Sequence, residues 1–524
     1  MGQARTLSVA LTGLEGTLVE IEADVSPGLP AFSLVGLPGP STLQARERVR
    51  AASARSGIHL AQRRLTVNMT PAWIPKHGSG FDLAIAIALV AAQGDLPSQG
   101  IERTVHLGEL GLDGRLRPVP GVLPALVAAR GLGIDRAVVP LENLAEARLV
   151  DGISVDAAGD LATVLHRWGA RVSPGPDPAD RPGARGGDDA GPDDGDGTDA
   201  DGTGPRSTLD FRDVLGQEQA RFAAEVAAAG GHHLLLTGPP GAGKTMIAAR
   251  IPGILPDLDT EDSLAVSAIH SVCGRFDARL GLRRRPPFES PHHTATAAAV
   301  VGGGSGIALP GAISRAHAGV LLLDEAPEFP ARVLEALREP LETGDITLHR
   351  SGGTARYPAR FQLVLAANPC PCGMSYGHGE ACSCSPLQRR RYLHRLSGPI
   401  MDRIDMRLDV PPVDVHRLDG AAGESSAEIA LRVAAARERQ RRRFAGRPWH
   451  LNCQIPGPDL RRDLAPEPSQ SRLLDHALAQ GRLSLRGHDR VLRLAWTLAD
   501  LAGAERPEAE HVGTALTLRD EDRR

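Results

Sequence analysis

Runs of apolar and polar residues near the start of the chain predict a set of β-strands. Residues 7–11 and 17–25 have the pattern of two paired strands, and the glycines within residues 13–16 mark a turn between them. Residues 31–35 and 64–68 have the same character and predict two further strands. The chain therefore begins with a β-sheet that contains a hairpin.

Two helices are predicted in the same part of the chain. Residues 41–56 have helical spacing and contain many arginines. Residues 81–92, FDLAIAIALVAA, are apolar on most faces, which is typical of a buried helix. Strands and helices together predict a mixed α/β domain.

Strand and helix patterns alternate in the middle of the chain. Residues 234–237, 320–323 and 361–367 are short and apolar, as in strands that a parallel sheet buries on both faces. Beyond about residue 425 the pattern becomes helical. The helices predicted there are residues 426–443, 469–480, 488–501 and 507–518. The fold class is therefore α/β, with a parallel-sheet core and a helical C-terminal subdomain.

A segment rich in Gly, Pro, Asp and Ala separates the two parts. Residues 173–206 contain nine Asp and three Arg, and too few apolar residues to offset the entropy lost on ordering. We expect a disordered acidic linker there. The predicted domains are an N-terminal domain at residues 1–170, the linker at 171–208, a core at 209–415 and a helical subdomain at 416–524.

Composition narrows the class of protein. A chain of 524 residues exceeds the size of a single core, and 42% hydrophobic with 23% charged residues is ordinary for a soluble globular protein. No apolar run approaches the length of a membrane span, and no signal peptide is recognisable. We therefore expect a cytoplasmic protein without a membrane partner, whose six cysteines are reduced unless a metal holds them.

The net charge of −4 does not exclude a nucleic-acid partner, because the acidic linker alone accounts for more than that charge. Two basic runs end in an aromatic residue, at residues 388–392 (QRRRY) and 437–444 (RERQRRRF). Such runs can neutralise phosphates and stack on bases, but they are equally typical of a solvated helix face. The residues alone leave both alternatives open.

One of the only two lysines in the chain, Lys244, stands in the stretch LLLTGPPGAGKT. An apolar strand precedes this stretch and the helix-compatible residues 246–251 follow it, which is the context of a phosphate-binding loop. Glycines let backbone N–H groups approach phosphates, Lys244 supplies a compact charge, and Thr245 offers a hydroxyl to Mg²⁺. The residues predicted to bind ATP are Gly238, Pro239, Pro240, Gly241, Ala242, Gly243, Lys244 and Thr245, together with Asp324.

Polar residues also end the next two apolar strands. Asp324 is predicted to bind Mg²⁺ together with Thr245, and Glu325 to activate the attacking water as a general base. Asn368 ends the third strand and is predicted to orient that water, although an Asn before a Pro is also an ordinary turn former. The three side chains complete a predicted ATP-hydrolysis site.

Four cysteines lie within fifteen residues, and the structural alternatives for them are a zinc site, free thiols or a redox pair. His378 is a further candidate ligand. Cys273 and Cys453 are expected to be buried apolar residues, and His292 and His293 to be structural, because adjacent side chains point apart. The candidate zinc ligands are Cys370, Cys372, Cys382 and Cys384.

Longer segments carry a family resemblance. GPPGAGKT, LLLDE and the Asn-tipped third strand resemble an AAA+ ATPase. SPHHTATAAAVVGGG, PGAISRAHAGVLLLDE, YPARFQLVLAANPCPCG, SGPIMDRIDMRLDVP, GLPAFSLVGLPG and KHGSGFDLAIAIALVAA resemble the YifB/ComM family of magnesium-chelatase-like AAA+ proteins. The resemblance covers almost the whole chain except the acidic linker.

The resemblance implies roles for further residues. Arg403 would act on the nucleotide of a neighbouring subunit, and the second sensor arginine would be Arg486, with Arg490 as the alternative. A pore-facing hairpin is implied around residues 299–313, where Ala312 replaces an expected Glu.

The N-terminal half resembles the Lon-protease-like fold, also called the ribosomal protein S5 domain 2-like fold. A protease of that kind needs a Ser nucleophile and a nearby Lys base. The only lysine before the linker is Lys76, and Ser79 is expected to be a turn residue. We therefore expect a non-proteolytic binding or assembly domain.

The family resemblance also implies a function. It implies a ring-forming, hexameric motor that uses ATP and Mg²⁺ to move branched or single-stranded DNA, as a branch-migration helicase in recombination or in the uptake of transforming DNA. Two alternatives stay open at this stage: a magnesium-chelatase-type ATPase subunit, and an ATPase that remodels a protein partner.

Overall fold

A computed structural model describes residues 2–175, 209–304, 308–350, 353–376, 381–396, 398–412 and 423–519. Most of the predicted acidic linker and the candidate ligand His378 lie outside these described residues. The predicted boundaries at residues 208 and 415 also fall outside them, and the domain division stays a prediction.

A mixed sheet of seven strands forms the N-terminal part, in the order β3-β4-β2-β1-β5-β8-β9. The strands of this region are β1 (Gly2–Thr12), β2 (Glu15–Ser26), β3 (Ala31–Val35), β4 (Arg64–Thr70), β5 (Thr104–His106), β6 (Glu109–Leu110), β7 (Leu116–Arg117), β8 (Arg136–Pro140) and β9 (Ser154–Ala158). β1 and β2 are antiparallel and Thr12 pairs with Glu15, which confirms the predicted hairpin.

Helices cover this sheet. They are α1 (Pro40–Leu43), α2 (Ala45–Arg55), α3 (Asp82–Gln93), α4 (Val122–Gly131), α5 (Leu144–Ala147) and α6 (Leu161–Arg167). Every residue of α3 except Gln93 is buried, as its uniformly apolar pattern predicted. The single helix predicted at residues 41–56 is wrong in detail, because the chain breaks into α1 and α2 at Gln44.

The central region contains a second sheet, in the order β11-β14-β17-β10-β18. The strands of this region are β10 (Leu234–Thr237), β11 (Phe288–Glu289), β12 (Gly302–Gly303), β13 (Leu309–Pro310), β14 (Val320–Leu323), β15 (Asp345–Arg350), β16 (Gly353–Pro358), β17 (Gln362–Ala367) and β18 (Met406–Asp409). All neighbouring strands of the five-stranded sheet are parallel, so their carboxyl ends meet at one edge.

The remaining helices surround and follow this sheet. Those of the central region are α7 (Glu218–Gly230), α8 (Lys244–Ala248), α9 (Thr260–Val272), α10 (Ala297–Val301), α11 (Ala312–Arg315), α12 (Ala331–Ala336), α13 (Arg338–Thr343), α14 (Pro386–His394) and α15 (Gly398–Met401). Those of the C-terminal region are α16 (Ser426–Arg443), α17 (Gly457–Arg461), α18 (Arg472–Ala479), α19 (Leu485–Ala502) and α20 (Ala509–Arg519). The described part of the chain contains no helix that is long and apolar enough to cross a bilayer.

Short 3₁₀ turns connect several elements, at Ile101–Arg103, Leu141–Asn143, Phe211–Asp213, Ile251–Ile254, Ala278–Leu280, Ala326–Glu328 and Asn452–Gln454. The helix predicted at residues 246–251 in fact begins at Lys244 and ends at Ala248. A 3₁₀ turn with Pro252 near its start follows it, because proline disfavours a helical residue before it.

Both faces of the central sheet are covered, which explains why its strands are apolar throughout. Leu234 and Leu236 of β10 lie in the core shared with α7, α16 and α19, whereas Leu235 lies in the opposite core. The opposite core holds residues of α11, α12 and the hairpin β15–β16. Successive residues of a buried strand therefore pack alternately into the two cores.

The N-terminal region packs directly on the central region. Helix α4 contacts α9, and the backbone N–H of Gly121 donates to the carbonyl of Ser271 over 3.2 Å. Glu146 accepts a hydrogen bond from the Ser271 hydroxyl. Leu264 and Phe276 pack against the apolar cluster of the N-terminal sheet. The two regions therefore share a polar and apolar contact within one subunit.

Candidate nucleotide-binding site

The phosphate-loop candidate connects β10 to α8 and depends on glycine at three positions. Gly241 and Gly243 have φ of 78° and 87°, in the left-handed region that favours glycine. A Cβ on Gly238 would lie 2.2 Å from the carbonyl oxygen of Val410. The backbone N–H of Gly238 donates to the carbonyl of Ala367 over 3.1 Å, which ties the loop to the end of β17.

The Lys244 side chain folds into this loop and is only 7% exposed. Its Nζ donates to the carbonyls of Gly238 and Pro239 over 2.7 and 2.9 Å, and to Oδ1 of Asn368 over 3.1 Å. Burial lowers the pKa of Lys244, and the negative charges of Asp324 and Glu325 oppose this effect. The structure thus places the ammonium group of Lys244 beside the predicted water-orienting Asn368.

Thr245 and Asp324 meet at the same edge. The Thr245 hydroxyl donates to Oδ2 of Asp324 over 2.5 Å, and the backbone N–H of Glu325 donates to Oδ1 of Asp324 over 2.8 Å. A hydroxyl and a carboxylate in contact are a pair of hard oxygen ligands, the kind that Mg²⁺ prefers. The predicted magnesium pair is therefore adjacent in space, although 79 residues separate it in the chain.

Glu325 follows β14 in a left-handed conformation, with φ of 51° and ψ of 42°. Its side chain is 49% exposed, and its Oε2 lies 3.0 Å from Nδ1 of His293. The expectation that His292 and His293 point apart is wrong, because their ring centroids are only 4.1 Å apart. Neither residue lies in a helix or strand, so the rule for regular elements does not apply.

His293 is the site residue that sequence reasoning missed. It lies four residues after β11, and β11 is parallel to β14. A segment that follows one strand of a parallel sheet lies at the same edge as the segments that follow its neighbours. The position of His293 after a short strand was therefore the available signal.

Arg403 lies away from the phosphate loop. It precedes β18 by three residues, and β18 is parallel to β10, so Arg403 is at the amino edge of the sheet. Its guanidinium contacts the carboxylate of Glu342 and the carbonyl of Pro399. Burial is the main cause that lowers the pKa of Arg403, and Arg338 is the next.

The two candidates for the second sensor also lie near Arg403. Arg490 forms a largely buried ion pair with Asp405 and donates to the carbonyl of Arg403 over 3.1 Å. Burial opposes ionisation of Asp405, but Arg490 and His232 outweigh it and hold the pKa of Asp405 well below its ordinary value. Arg486 is 80% exposed and lies 3.7 Å from Asp402. Of the two, Arg486 has the side chain that is available to a ligand.

The four clustered cysteines converge on one point. Their Sγ atoms all lie within 4.8 Å of one another. The Sγ atom of Cys370 lies 3.4 Å from that of Cys372 and 3.7 Å from that of Cys382, and the Sγ atoms of Cys372 and Cys382 are 3.7 Å apart. A zinc ion with four Zn–S bonds of about 2.3 Å holds its sulfurs about 3.8 Å apart by tetrahedral geometry. The cluster therefore has the dimensions of a single-ion thiolate site.

The thiols themselves are free, and a disulfide needs sulfurs about 2.05 Å apart. The backbone N–H of Met374 is the main cause that lowers the pKa of Cys372 to about 6. Cys273 and Cys453, which were expected to be buried, have intermediate burial and keep part of their surface exposed. Burial still raises the pKa of Cys453 to about 12.

The aromatic ends of the two basic runs are not available to stack on bases. Tyr392 is 4% exposed and Phe444 is 3% exposed, because each helix turns its aromatic residue inward. Arg437 is half-buried and donates to the carbonyl of Ala228 over 2.6 and 2.9 Å. The burial of both aromatic residues therefore argues against the alternative in which these runs stack on bases. Exposed positive charge remains on α14, at Arg390 and Arg391.

Two further expectations concern residues outside the nucleotide site. Lys76 is fully buried and its Nζ contacts the carbonyl of Pro71, whereas the Ser79 hydroxyl contacts Glu109. These contacts give Lys76 and Ser79 separate partners, and the non-proteolytic role stays a prediction. The hairpin expected within residues 299–313 is present as β12–β13, with Ala312 buried behind it. Its orientation towards a pore stays a prediction as well.

Three protein families match successive parts of the chain. Residues 210–418 match the family described as magnesium chelatase, subunit ChlI. Residues 21–143 match the family described as subunit ChlI of Mg-chelatase, and residues 423–519 match the C-terminal family of the same subunit. The N-terminal region is similar to Lon proteases, and that of Mycolicibacterium smegmatis is 29% identical over 169 residues, 30% of this chain and 21% of the protease.

Several relatives match nearly end to end. An uncharacterized protein of Mycobacterium tuberculosis is 49% identical over 99% of each chain. The protein YifB of Escherichia coli is 40% identical over 98% of this chain and 96% of its own. Competence protein ComM of Haemophilus influenzae is 37% identical over 99% and 98%. The chain therefore belongs to the YifB/ComM family of magnesium-chelatase-like AAA+ proteins.

Proposed function

We propose that this protein hydrolyses ATP at residues 238–245 and uses the energy to move branched or single-stranded DNA. One observation carries the ATPase proposal. Two hydrogen-bonded pairs lie at one edge of a parallel sheet: Lys244 donates to Asn368 over 3.1 Å, and Thr245 donates to Asp324 over 2.5 Å. Open α/β sheets bind their ligands at this edge.

ATP binding would rearrange the contacts of Lys244. Its ammonium now satisfies two loop carbonyls and Asn368, and phosphate oxygens are stronger acceptors for the same charge. The backbone N–H groups of the glycine-rich loop would take the remaining phosphate oxygens. Lysine suits this place because the loop encloses a compact ammonium that the larger guanidinium of arginine would not fit.

Thr245 and Asp324 would hold magnesium, since their oxygens already lie together. The bound ion would neutralise charge on the phosphates. Glu325 accepts a proton from the attacking water, and Asn368 orients that water beside Lys244. His293 holds the Glu325 carboxylate from the other side.

A second copy of the chain must complete the site. Arg403 and Arg486 lie at the amino edge of the sheet, whereas the phosphate loop lies at the carboxyl edge. Their charges therefore serve the nucleotide of a neighbouring subunit, where Arg403 stabilises negative charge on the transferring phosphoryl group. We propose a closed ring, and a hexamer as in the family. On assembly, Arg403 would leave its contact with Glu342 and contact the nucleotide of the neighbouring subunit.

The DNA proposal rests on surface charge and on the name of a relative. The exposed Arg390 and Arg391 form a positive surface on α14, and a relative that matches the whole chain is named a competence protein. Arginines on one helix face can follow a phosphate backbone without reading sequence. We infer a branch-migration or translocation activity in recombination or DNA uptake.

The test is the ATPase rate of the assembled protein with and without a four-way DNA junction, together with a branch-migration assay. We expect the junction to raise the rate and to be resolved into two duplexes. Lys244→Ala is the control and should abolish both activities. An ATPase rate that is the same with and without DNA would contradict the DNA proposal. Stimulation by a porphyrin-chelatase partner, or by a protein substrate, would instead favour one of the two alternatives.

A further inference from the structure

The cysteine cluster lies directly against the phosphate loop. Gly373, next to Cys372, has φ of 75°, and a Cβ there would lie 2.6 Å from Cδ of Pro240. Pro240 is the third residue of the phosphate loop. The backbone of the cysteine turn therefore packs on the ring of Pro240, with no room for a side chain between them.

The same turn is connected to the catalytic edge through the chain itself. Asn368 precedes Cys370 by two residues and accepts a hydrogen bond from Lys244 over 3.1 Å. Ala367 accepts a hydrogen bond from the N–H of Gly238 over 3.1 Å. The cluster thus meets the phosphate loop at two points, the Pro240 ring and the end of β17.

We propose that Cys370, Cys372, Cys382 and Cys384 bind one structural zinc ion that supports the phosphate loop, so that ATP turnover depends on the metal. This inference rests on the proposed hydrolysis of ATP at that loop. Apolar packing fixes only part of the turn, because Met374 is 49% exposed and Tyr376 is 40% exposed. A segment that buries so little apolar surface needs a metal to fix its shape.

The far end of the cluster leads into the basic helix. Cys384 is followed by Ser385, which caps α14 in a reciprocal pair with Gln388. Arg389 of that helix donates to the Ser375 hydroxyl over 3.2 Å, back inside the cysteine segment. The proposed ion therefore joins the phosphate loop to the helix that carries Arg390 and Arg391, and its loss would release both.

The first measurement is the metal content of the full-length wild-type protein by elemental analysis. We expect about one zinc per chain. The double variant Cys372→Ser/Cys382→Ser should lose it. The matched control Cys273→Ser/Cys453→Ser changes the two cysteines outside the cluster and should keep it. Zinc-free protein that hydrolyses ATP, or protein that holds iron in place of zinc, would overturn the proposal.

The second measurement is the ATPase rate of the same proteins. Loss of the support under Pro240 should lower kcat by about 10- to 100-fold, because small displacements of catalytic groups have effects of this size. Circular dichroism should show an unchanged helix content. If the double variant fails to fold, zinc is removed from the wild type with a mercurial thiol reagent. Dithiothreitol, which takes the mercury off the cysteines, followed by added zinc should restore the rate. A double variant or metal-free protein with the wild-type rate would overturn the coupling.

A third variant separates the metal from the contact. Gly373→Ala keeps all four thiols but pushes a methyl group against Pro240 in a strained backbone conformation. We expect bound zinc with a lowered kcat, and an unchanged kcat would contradict the coupling. Zinc-containing wild-type protein that hydrolyses no ATP would instead refute the proposed function and leave the metal site intact.

Discussion

Glu325 directly follows Asp324 and has a left-handed backbone, which costs a residue with a side chain about 1–2 kcal/mol. This conformation turns the side chain towards His293, 3.0 Å away, rather than along β14. Strain of this kind concentrates at functional sites, where it fixes a reacting group in position. The structure therefore agrees with the role of general base that we propose for Glu325.

Substitution of Glu325 tests that role. Glu325→Gln should lower kcat by about 10²- to 10⁴-fold, because the amide does not accept a proton from water. ATP affinity, measured by calorimetry, should stay within about twofold, since binding depends on the phosphate loop. Glu328→Gln is a matched control on the next turn, where the carboxylate pairs with Arg395. A Glu325→Gln protein with the wild-type kcat would exclude Glu325 as the base.

Single residues of the phosphate loop were predictable because their chemistry is local. Lys244 and Thr245 follow a pattern in which each position has a physical reason. His293 was not predictable in this way, since its role depends on the pairing of β11 with β14, whose partner residues are 32 positions apart in the chain. The burial of Tyr392 and Phe444 was not predictable for a different reason. Helix position, and not composition, decides whether an aromatic residue faces solvent or core.

The elements of the central sheet followed closely from the apolar pattern. β10 and β14 have the predicted bounds, because a strand buried on both faces is apolar from end to end and stops where polarity returns. The helix predicted at residues 41–56 was less exact, because its pattern did not show the break at Gln44. Patterns of buried elements therefore predict bounds better than patterns of half-exposed ones.

Strand β5 contributes a pH-dependent element to the N-terminal sheet. His106 is fully buried, and its Nδ1 lies 2.7 Å from the Thr6 hydroxyl of β1. Burial lowers the pKa of His106 to about 3, whereas an unfolded chain binds the proton near about pH 6.5. The free energy of unfolding should therefore fall as pH decreases below about 6.5 and should recover above it.

Thermal unfolding at pH 7 and at pH 5 measures this effect. The Tm of the wild-type protein should be lower at pH 5 than at pH 7. Each unit of pH below the unfolded pKa of His106 lowers its contribution to the free energy of unfolding by up to about 1.4 kcal/mol. His106→Asn keeps a polar group near Thr6 but does not titrate, so its Tm should change less between the two values. Equal changes of Tm in both proteins would show that His106 is not the group responsible.

At the scale of the whole molecule, we propose that one subunit holds halves of two different sites. The carboxyl edge of the central sheet carries Lys244, Asp324 and Glu325, and the amino edge carries Arg403 and Arg486. The residue pattern predicted the first set, and the family resemblance implied that Arg403 acts on a neighbouring subunit. The direction of β18 gives the physical reason for their separation. Residues at opposite edges of one sheet cannot contact the same phosphate. Arg403 can therefore act on a nucleotide only after two subunits assemble.

Mixing two inactive variants tests whether neighbouring subunits share one ATP site. Lys244→Ala removes the phosphate-loop charge but keeps Arg403, and Arg403→Ala does the reverse. We expect each variant alone to hydrolyse ATP at under about a hundredth of the wild-type rate. An equal mixture should regain a substantial part of that rate, at subunit interfaces that combine an intact Lys244 from one variant with an intact Arg403 from the other. A mixture as inactive as its parts, or an active Arg403→Ala protein alone, would contradict the account.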